Sequence, residues 1–369
     1  MNDKPSRVVS RPGVARVSPA THGAFDYAEL EQLGLSPDDV LDFSVNSNPY
    51  GPSPAVRRAL AEVPLDRYPD REALALRRAL AEQHRRSVDQ IVVGNGTAEL
   101  LWLIAFAFLE PSDPVLIIGP TFGEYGRVAA LMGAAVKYWN ASSERAFGID
   151  PRAVARLLRE GRPRLVFLCN PNNPTGAILP LEDIDRWAAG NPETLFVVDE
   201  AYLAFAQGLE SALILGAANV LVVRSMTKDY ALAGLRLGYA AGPEPLTAAV
   251  ACARPAWNVN ALAQVAGISA LADDAYYRRT WSGARRAGEA LVKGLADTGM
   301  VALPSAVHFF LLRVGDGTDF RRSLLRHRIL VRDCTSFGLP EYVRIAPRRR
   351  RDNARLLAAV RSWAACRRD

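Results

Sequence analysis

A chain of 369 residues, 49% hydrophobic and 23% charged, is ordinary globular material with ample stock for a large core. Its net charge of +6 suits an anionic small partner rather than nucleic acid, because the one dense basic run, RIAPRRRRDNARLL at 344–357, has no aromatic interleaving and accompanies no DNA-binding motif. Four cysteines without a CxxC and four scattered histidines exclude a zinc site, and the longest apolar run, LLWLIAFAFL, is too short to cross a bilayer.

Residues 1–40 read as a Pro- and Gly-containing arm. The start, MNDKPSRVVSRPG, has no apolar signal core, so a cytoplasmic protein with free thiols is expected. In DFSVNSNPYGPSPAVRRALAEV the Asn/Pro/Gly/Ser cluster is a loop and Pro54 opens a helix. Seven short runs follow: QIVVGNG, PVLIIGP, AVKYWN, RLVFLCN, LFVVDEA, VLVVRS and LGYAAG. Several are unbroken Val/Ile/Leu stretches, as in strands buried on both faces of a mostly parallel sheet. Between them AELLWLIAFAFL and GRVAALMGA have helical spacing. Residues 41–243 are therefore expected to form an α/β layered domain with a seven-stranded sheet between helices. From 244 to 369 long helical stretches lead to HFFLLRV, ILVRDC and YVRIAP and a final helix, which predicts a smaller α+β domain. The basic run at 344–357 reads as the solvated start of that helix.

Ligands of open α/β sheets bind beyond the strand ends, where this chain carries its unusual residues. GNGTAELL (94–101) is a glycine turn entering a helix, whose free N–H groups suit a phosphate. NPNNPTG (170–176) holds more asparagines than turn chemistry needs. VVDEAY (197–202) puts Asp199 at the end of a buried strand, where an ionised carboxylate needs a cationic partner. SMTKDYALAGLRLG (225–238) places Lys228 at the end of another such strand. Burial disfavours the charge of a lysine, which makes a neutral amine available as a nucleophile. In this order the motifs describe a phosphate cradle, a ring contact, an acidic partner, an amine and a second phosphate clamp.

That constellation resembles the fold-type I pyridoxal-phosphate (PLP) enzymes of the class I/II aminotransferase group, over nearly the whole chain. The resemblance implies that Lys228 carries the cofactor covalently and that Asp199 pairs with its protonated pyridine nitrogen. It further implies that Asn173 and Tyr202 bind the phenolic oxygen and that Phe122 of GPTFGEY stacks on the ring. Gly96, Thr97 and Ala98, with Ser225 and Arg236, would hold the phosphate. Tyr68 of DRYPD would reach the phosphate of a neighbouring subunit in a homodimer.

Within the group the chain is similar to the histidinol-phosphate aminotransferase and threonine-phosphate decarboxylase pair. THGAFDY resembles the His-Gly-Gly of the decarboxylases, and DFSVNSNPYGPSP their Asp-Phe-Ser-x-Asn-x-Asn-Pro-x-Gly-Pro. Arg344 matches the arginine that grips a substrate α-carboxylate, while His22, Asn48 and Arg332 are further substrate candidates. Decarboxylation of an O-phospho-amino acid is expected, O-phosphothreonine first. Transamination of histidinol phosphate or a related amino acid with 2-oxoglutarate is the alternative, and a non-catalytic PLP-binding module a third reading. Three departures fall on the substrate side: Ala24 for a glycine, PAW (255–257) for Pro-Pro-Trp, and His308 for an asparagine. His308 is either a packed core histidine or a substrate contact.

Overall fold

The computed structural model describes residues 8–15 and 17–365, so Cys366 lies outside the described residues. A two-residue strand, β1 (Leu41–Asp42), precedes the helix Pro54–Ala61, which Ser53 caps by accepting from the Val56 N–H. All seven apolar runs then form strands: β2 (Ile91–Gly94), β3 (Pro114–Gly119), β4 (Ala135–Asn140), β5 (Leu165–Cys169), β6 (Leu195–Asp199), β7 (Val220–Ser225) and β8 (Gly238–Ala241). They make one sheet in the order β2-β8-β7-β6-β5-β3-β4. Only β8 runs against its neighbours.

The central strands are buried along their length because helices cover both faces. Successive side chains alternate between two cores. Val166, Leu168, Phe196, Val198 and Val222 face one core, with Leu76, Leu158, Ile184 and Ala266 from the covering helices. Phe167, Val197, Leu221 and Val223 face the other, with Leu101, Ile104, Tyr125 and Val250. β4 is the edge strand and is correspondingly half exposed.

After the sheet come the helices Glu244–Ala253, Ala261–Ala272 and Asp274–Ala296. The first two pack on opposite faces of the large sheet through Val250 and through Ala263 and Ala266. The third bridges the two layers, with Ala284 in a large-sheet core and Leu291 and Leu295 under the second sheet. That second sheet has β9 (Phe310–Arg313), β11 (Arg332–Asp333) and β12 (Tyr342–Ile345) in the antiparallel order β11-β12-β9. β10 (Ile329–Leu330) instead pairs in parallel with β1, which ties the start of the chain to its end. The basic run opens the last helix, Arg350–Ala365, as expected. Among the described residues no helix is long and apolar enough to cross a membrane.

Two register facts position the site. Cys169 stands beside Asp199, and Asp199 beside Val223, so β5 and β6 end level and β7 runs two residues further to Ser225. NPNNPTG, Asp199 and the Lys228 turn therefore emerge side by side. On the second sheet, Arg332 and Arg344 are direct cross-strand partners.

Candidate active site

Where those strand ends meet the second sheet lies a cavity of about 840 Å³. Thr97, Ala98, Phe122, Asn173, Asp199, Tyr202, Ser225, Lys228 and Arg236 line it, and so do His22, Arg332 and Arg344. The structure thus gathers residues from nearly the full length of the chain. Asn48 and Tyr68 are not among them.

Lys228 is half-buried where it borders the cavity, and its pKa is pulled down to about 8. Burial is the main cause, and the guanidinium groups of Arg344 and Arg236 add to it. A neutral amine is therefore accessible near pH 8. Asp199 shows the opposite shift, raised to about 6 by burial, although the Tyr125 hydroxyl donates to its Oδ2 at 2.7 Å and the Ala201 N–H to its Oδ1 at 3.0 Å. Tyr125 escaped the sequence reading. It stacks flat on Phe167, with centroids 5.0 Å apart, which fixes its hydroxyl on Asp199. Burial raises the Tyr202 hydroxyl, whose ring packs edge-on against Phe309. Asn173 accepts from Arg344 through Oδ1.

The phosphate end is built at the start of the helix Gly96–Phe108. A helix of this length offers unbonded N–H groups and a positive dipole end to an anion. Arg236 crosses the opening, and Ser225 and Thr227 share a hydroxyl hydrogen bond of 2.7 Å beside it. A side chain at Gly96 would be strained by the backbone and would push Arg236 aside. The φ of Gly96 is +82°, and a Cβ there would lie 2.8 Å from Arg236 Nη2. Gly96→Ala should therefore displace Arg236 and weaken cofactor affinity by about tenfold or more, judged by one lost charge-assisted contact. Fluorescence titration of the cofactor-free variant with PLP checks this, and unchanged affinity would contradict it.

On the facing wall, two guanidinium groups stand directly opposite on one sheet face, an unfavourable arrangement unless an anion joins them. Arg344 is buried over the Phe309 ring, and its Nε has no hydrogen-bond partner. Arg332 stacks on Phe337 and donates to the Thr21 carbonyl at 2.8 Å and the Ser336 hydroxyl at 2.6 Å. Burial and the nearby Arg344 pull its pKa down to about 10. His22 borders the same cavity, but its Nε2 is already bonded to Glu124 Oε1 at 3.0 Å.

Asn48, His308, Ala24 and Tyr68 lie outside the cavity lining. Asn48 is not a substrate contact, because its amide donates to the Asp229 carbonyl at 3.0 Å and the Thr280 hydroxyl at 2.8 Å, bracing the Lys228 turn from behind. Asn46, two residues earlier, borders the cavity instead, with its amide beside the Tyr202 hydroxyl. His308 does not reach the cavity. It is fully buried with its ring 3.8 Å from that of Phe205, and burial depresses its pKa to about 3, so it is a neutral core histidine. Ala24 adopts φ 88°, a conformation in which a glycine would be unstrained, and donates to Ser44 Oγ at 2.8 Å. Tyr68 is 82% exposed against Trp257 and does not border its own chain's cavity.

The donor set fits PLP. The glycine-floored anion cradle suits the phosphate, and the buried Asp199 carboxyl suits a protonated pyridine nitrogen. Lys228 supplies the amine.

Comparison with known proteins agrees with this chemistry. The family model for aminotransferase class I and II matches residues 38–360. Histidinol-phosphate aminotransferase of Symbiobacterium thermophilum is 36% identical over 361 residues, covering 95% of this chain and 98% of that protein. Threonine-phosphate decarboxylase of Salmonella typhimurium is also 36% identical, over 360 residues, covering 93% of this chain and 96% of that one. The crystal structure of histidinol-phosphate aminotransferase from Sinorhizobium meliloti in complex with pyridoxal-5'-phosphate superposes with a TM-score of 0.87 over 99% of both chains. At 24% identity that likeness is one of fold.

Proposed function

Since the chain belongs to the aminotransferase class I and II family, whose enzymes work with pyridoxal phosphate, we propose that it acts at Cα of a small phosphorylated amine or amino acid. One observation carries the substrate class: Arg332 and Arg344 face a common cavity from paired positions on one sheet, and Lys228 lines the same cavity. Two cations so placed suit a substrate with a phosphate, a carboxylate or both.

When bound, the cofactor supplies an electron sink for charge developing at Cα. Gly96, Thr97, Ala98, Ser225 and Arg236 would hold its phosphate, and Asp199 would keep a proton on the pyridine nitrogen. Asn173 and Tyr202 would hold its phenolic oxygen, and Phe122 would pack against the ring. Lys228 Nζ would hold the cofactor and would carry the proton to or from Cα. Arg344 grips a carboxylate, on the amino acid or on a keto-acid acceptor such as 2-oxoglutarate, and Arg332 takes the distal phosphate. How these anchors turn the substrate selects the bond at Cα that breaks.

Transamination of histidinol phosphate or a related amino acid comes first, on the strength of aminotransferase relatives such as that of Symbiobacterium. Decarboxylation, the expectation from the sequence, moves to second place. It is kept by the equal 36% identity to the Salmonella decarboxylase and by THGAFDY. Mass spectrometry of the products from histidinol phosphate and O-phosphothreonine, with and without 2-oxoglutarate, separates the two. Glutamate formed only with the keto acid supports transamination, whereas carbon dioxide released without any acceptor supports decarboxylation.

A two-fold homodimer completes the proposal. Tyr68 stands exposed at 82%, away from its own cavity, and a neighbour's cradle gives its hydroxyl a phosphate to meet. Sedimentation of the active enzyme should show a dimer, and a fully active monomer would refute it.

A further inference from the structure

Glu124 and Asp199 are the two acids that border the cavity, and only Asp199 has a role in holding the cofactor. Glu124 opens the helix Glu124–Leu131, borders the cavity, and is only 4% exposed at its side chain. Its Oε1 accepts from His22 Nε2 at 3.0 Å, and Arg127 Nη1 donates to both of its oxygens at 3.2 and 3.3 Å. Burying an ionised carboxylate requires such partners. The His22 hydrogen bond is the main reason the Glu124 carboxyl lies below its usual value despite burial. An ionised carboxylate only accepts, so His22 Nε2 must carry the hydrogen. Nδ1 is then the ring nitrogen left for a ligand. The backbone on either side of the ring is held in place. Arg332 holds the preceding carbonyl, that of Thr21, and a Cβ on the following residue, Gly23, would lie 2.5 Å from the Ser44 carbonyl oxygen.

We propose that Glu124 is a positioning residue for the distal end of the substrate. By holding the Nε2–H of His22 it orients the imidazole edge that carries Nδ1, beside Arg332, toward a phosphate monoester, and so selects phosphorylated amines over their dephosphorylated counterparts. This rests on the function proposed above, in which the substrate carries a phosphate. It assigns a role to Glu124 that acts through His22 and needs no contact of its own with substrate.

The test titrates the holoenzyme with O-phospho-L-threonine, L-threonine, histidinol phosphate and histidinol, reading binding from the visible spectrum of the cofactor. The wild type should bind phosphorylated members more tightly. Glu124→Gln removes the charge that fixes the His22 hydrogen and should narrow this preference by about tenfold, the scale of one charge-assisted hydrogen bond. Steady-state kinetics should show the loss as a raised KM with kcat little changed. Glu124→Asp should restore part of the preference. His22→Gln should narrow it as much as Glu124→Gln, and the double variant no further than either single one. A Glu124→Gln enzyme with wild-type preference overturns the positioning role and leaves the phosphorylated-substrate function standing. A wild type that binds both members of each pair equally overturns that function and the positioning role with it. If Glu124→Gln does not fold, His22→Gln alone decides, and an unchanged preference there overturns the proposal.

Discussion

Lys228→Ala should yield a folded protein that borohydride cannot link to its cofactor. After reduction, intact-mass spectrometry should show the wild type heavier by one reduced cofactor and the variant unshifted. Turnover should fall by roughly a thousandfold or more, since the same amine serves as covalent anchor and proton carrier, roles worth about 10²–10⁴ for proton transfer alone. Folding should survive because the turn is held by its main chain. The Lys228 carbonyl accepts from the Asn48 N–H at 2.8 Å and from the Ala231 N–H at 3.3 Å, and neither bond needs the side chain. The cofactor-free forms offer a second readout. The folded-state pKa of Lys228, about 8, lies below the ordinary 10.5, so the charged amine opposes folding. That penalty is complete below pH 8 and fades as pH rises toward 10.5. Cofactor-free Lys228→Ala should therefore gain thermal stability over cofactor-free wild type near pH 7, and the gain should shrink as pH increases through this window. Covalent cofactor retained by the alanine variant would assign the anchor to another amine.

Much of this site was legible because the signals were local. Unbroken runs such as LFVV and VLVV can be satisfied only by strands covered on both faces, and their parallel direction puts every strand end on one edge. Lys228 stood out by its apolar flank, and Gly96 by its place before a helix. What stayed hidden depends on pairings across the fold. Asn46 and Asn48 share one loop and one side chain, and only the Asp229 carbonyl and Thr280, 181 and 232 residues from Asn48, decide which amide is consumed. Tyr125 has the pattern of a core aromatic until Asp199, 74 residues on, meets its hydroxyl. Glu124 has the pattern of an ordinary first-turn acid, favoured by the helix dipole, until His22 arrives from 102 residues away. The helices after residue 243 were legible as helices. Which sheet they cover was not, since an apolar helical face packs equally well on either layer.

Asp199→Ala should keep appreciable cofactor and lose most activity, by roughly a hundredfold to ten-thousandfold, the range for removing a group that stabilises developing charge. Retention follows from the geometry. The anion cradle around Gly96, Ser225 and Arg236 and the Lys228 amine lie on elements other than β6, which carries Asp199. The loss follows from electrostatics. A pyridine nitrogen in a dry site keeps its proton only beside a carboxylate, and without that proton the ring withdraws electrons from Cα poorly. The pH dependence should separate this role from simple packing. In the cofactor-free protein burial raises Asp199 to about 6 from 3.8, so its contribution to stability is full below pH 3.8 and is lost as pH rises through 6. Cofactor-free wild type should thus lose thermal stability relative to Asp199→Ala between about pH 4 and 7. With PLP bound, the pyridinium cation favours the ionised carboxylate, and that relative loss should flatten or reverse. Tyr125→Phe should act in the same direction but far more weakly, by about tenfold at most, since it removes one hydrogen bond to the carboxylate and leaves the charge. An Asp199→Ala enzyme with near wild-type turnover would show that the ring nitrogen needs no protonation here, and the assignment of Asp199 would fall.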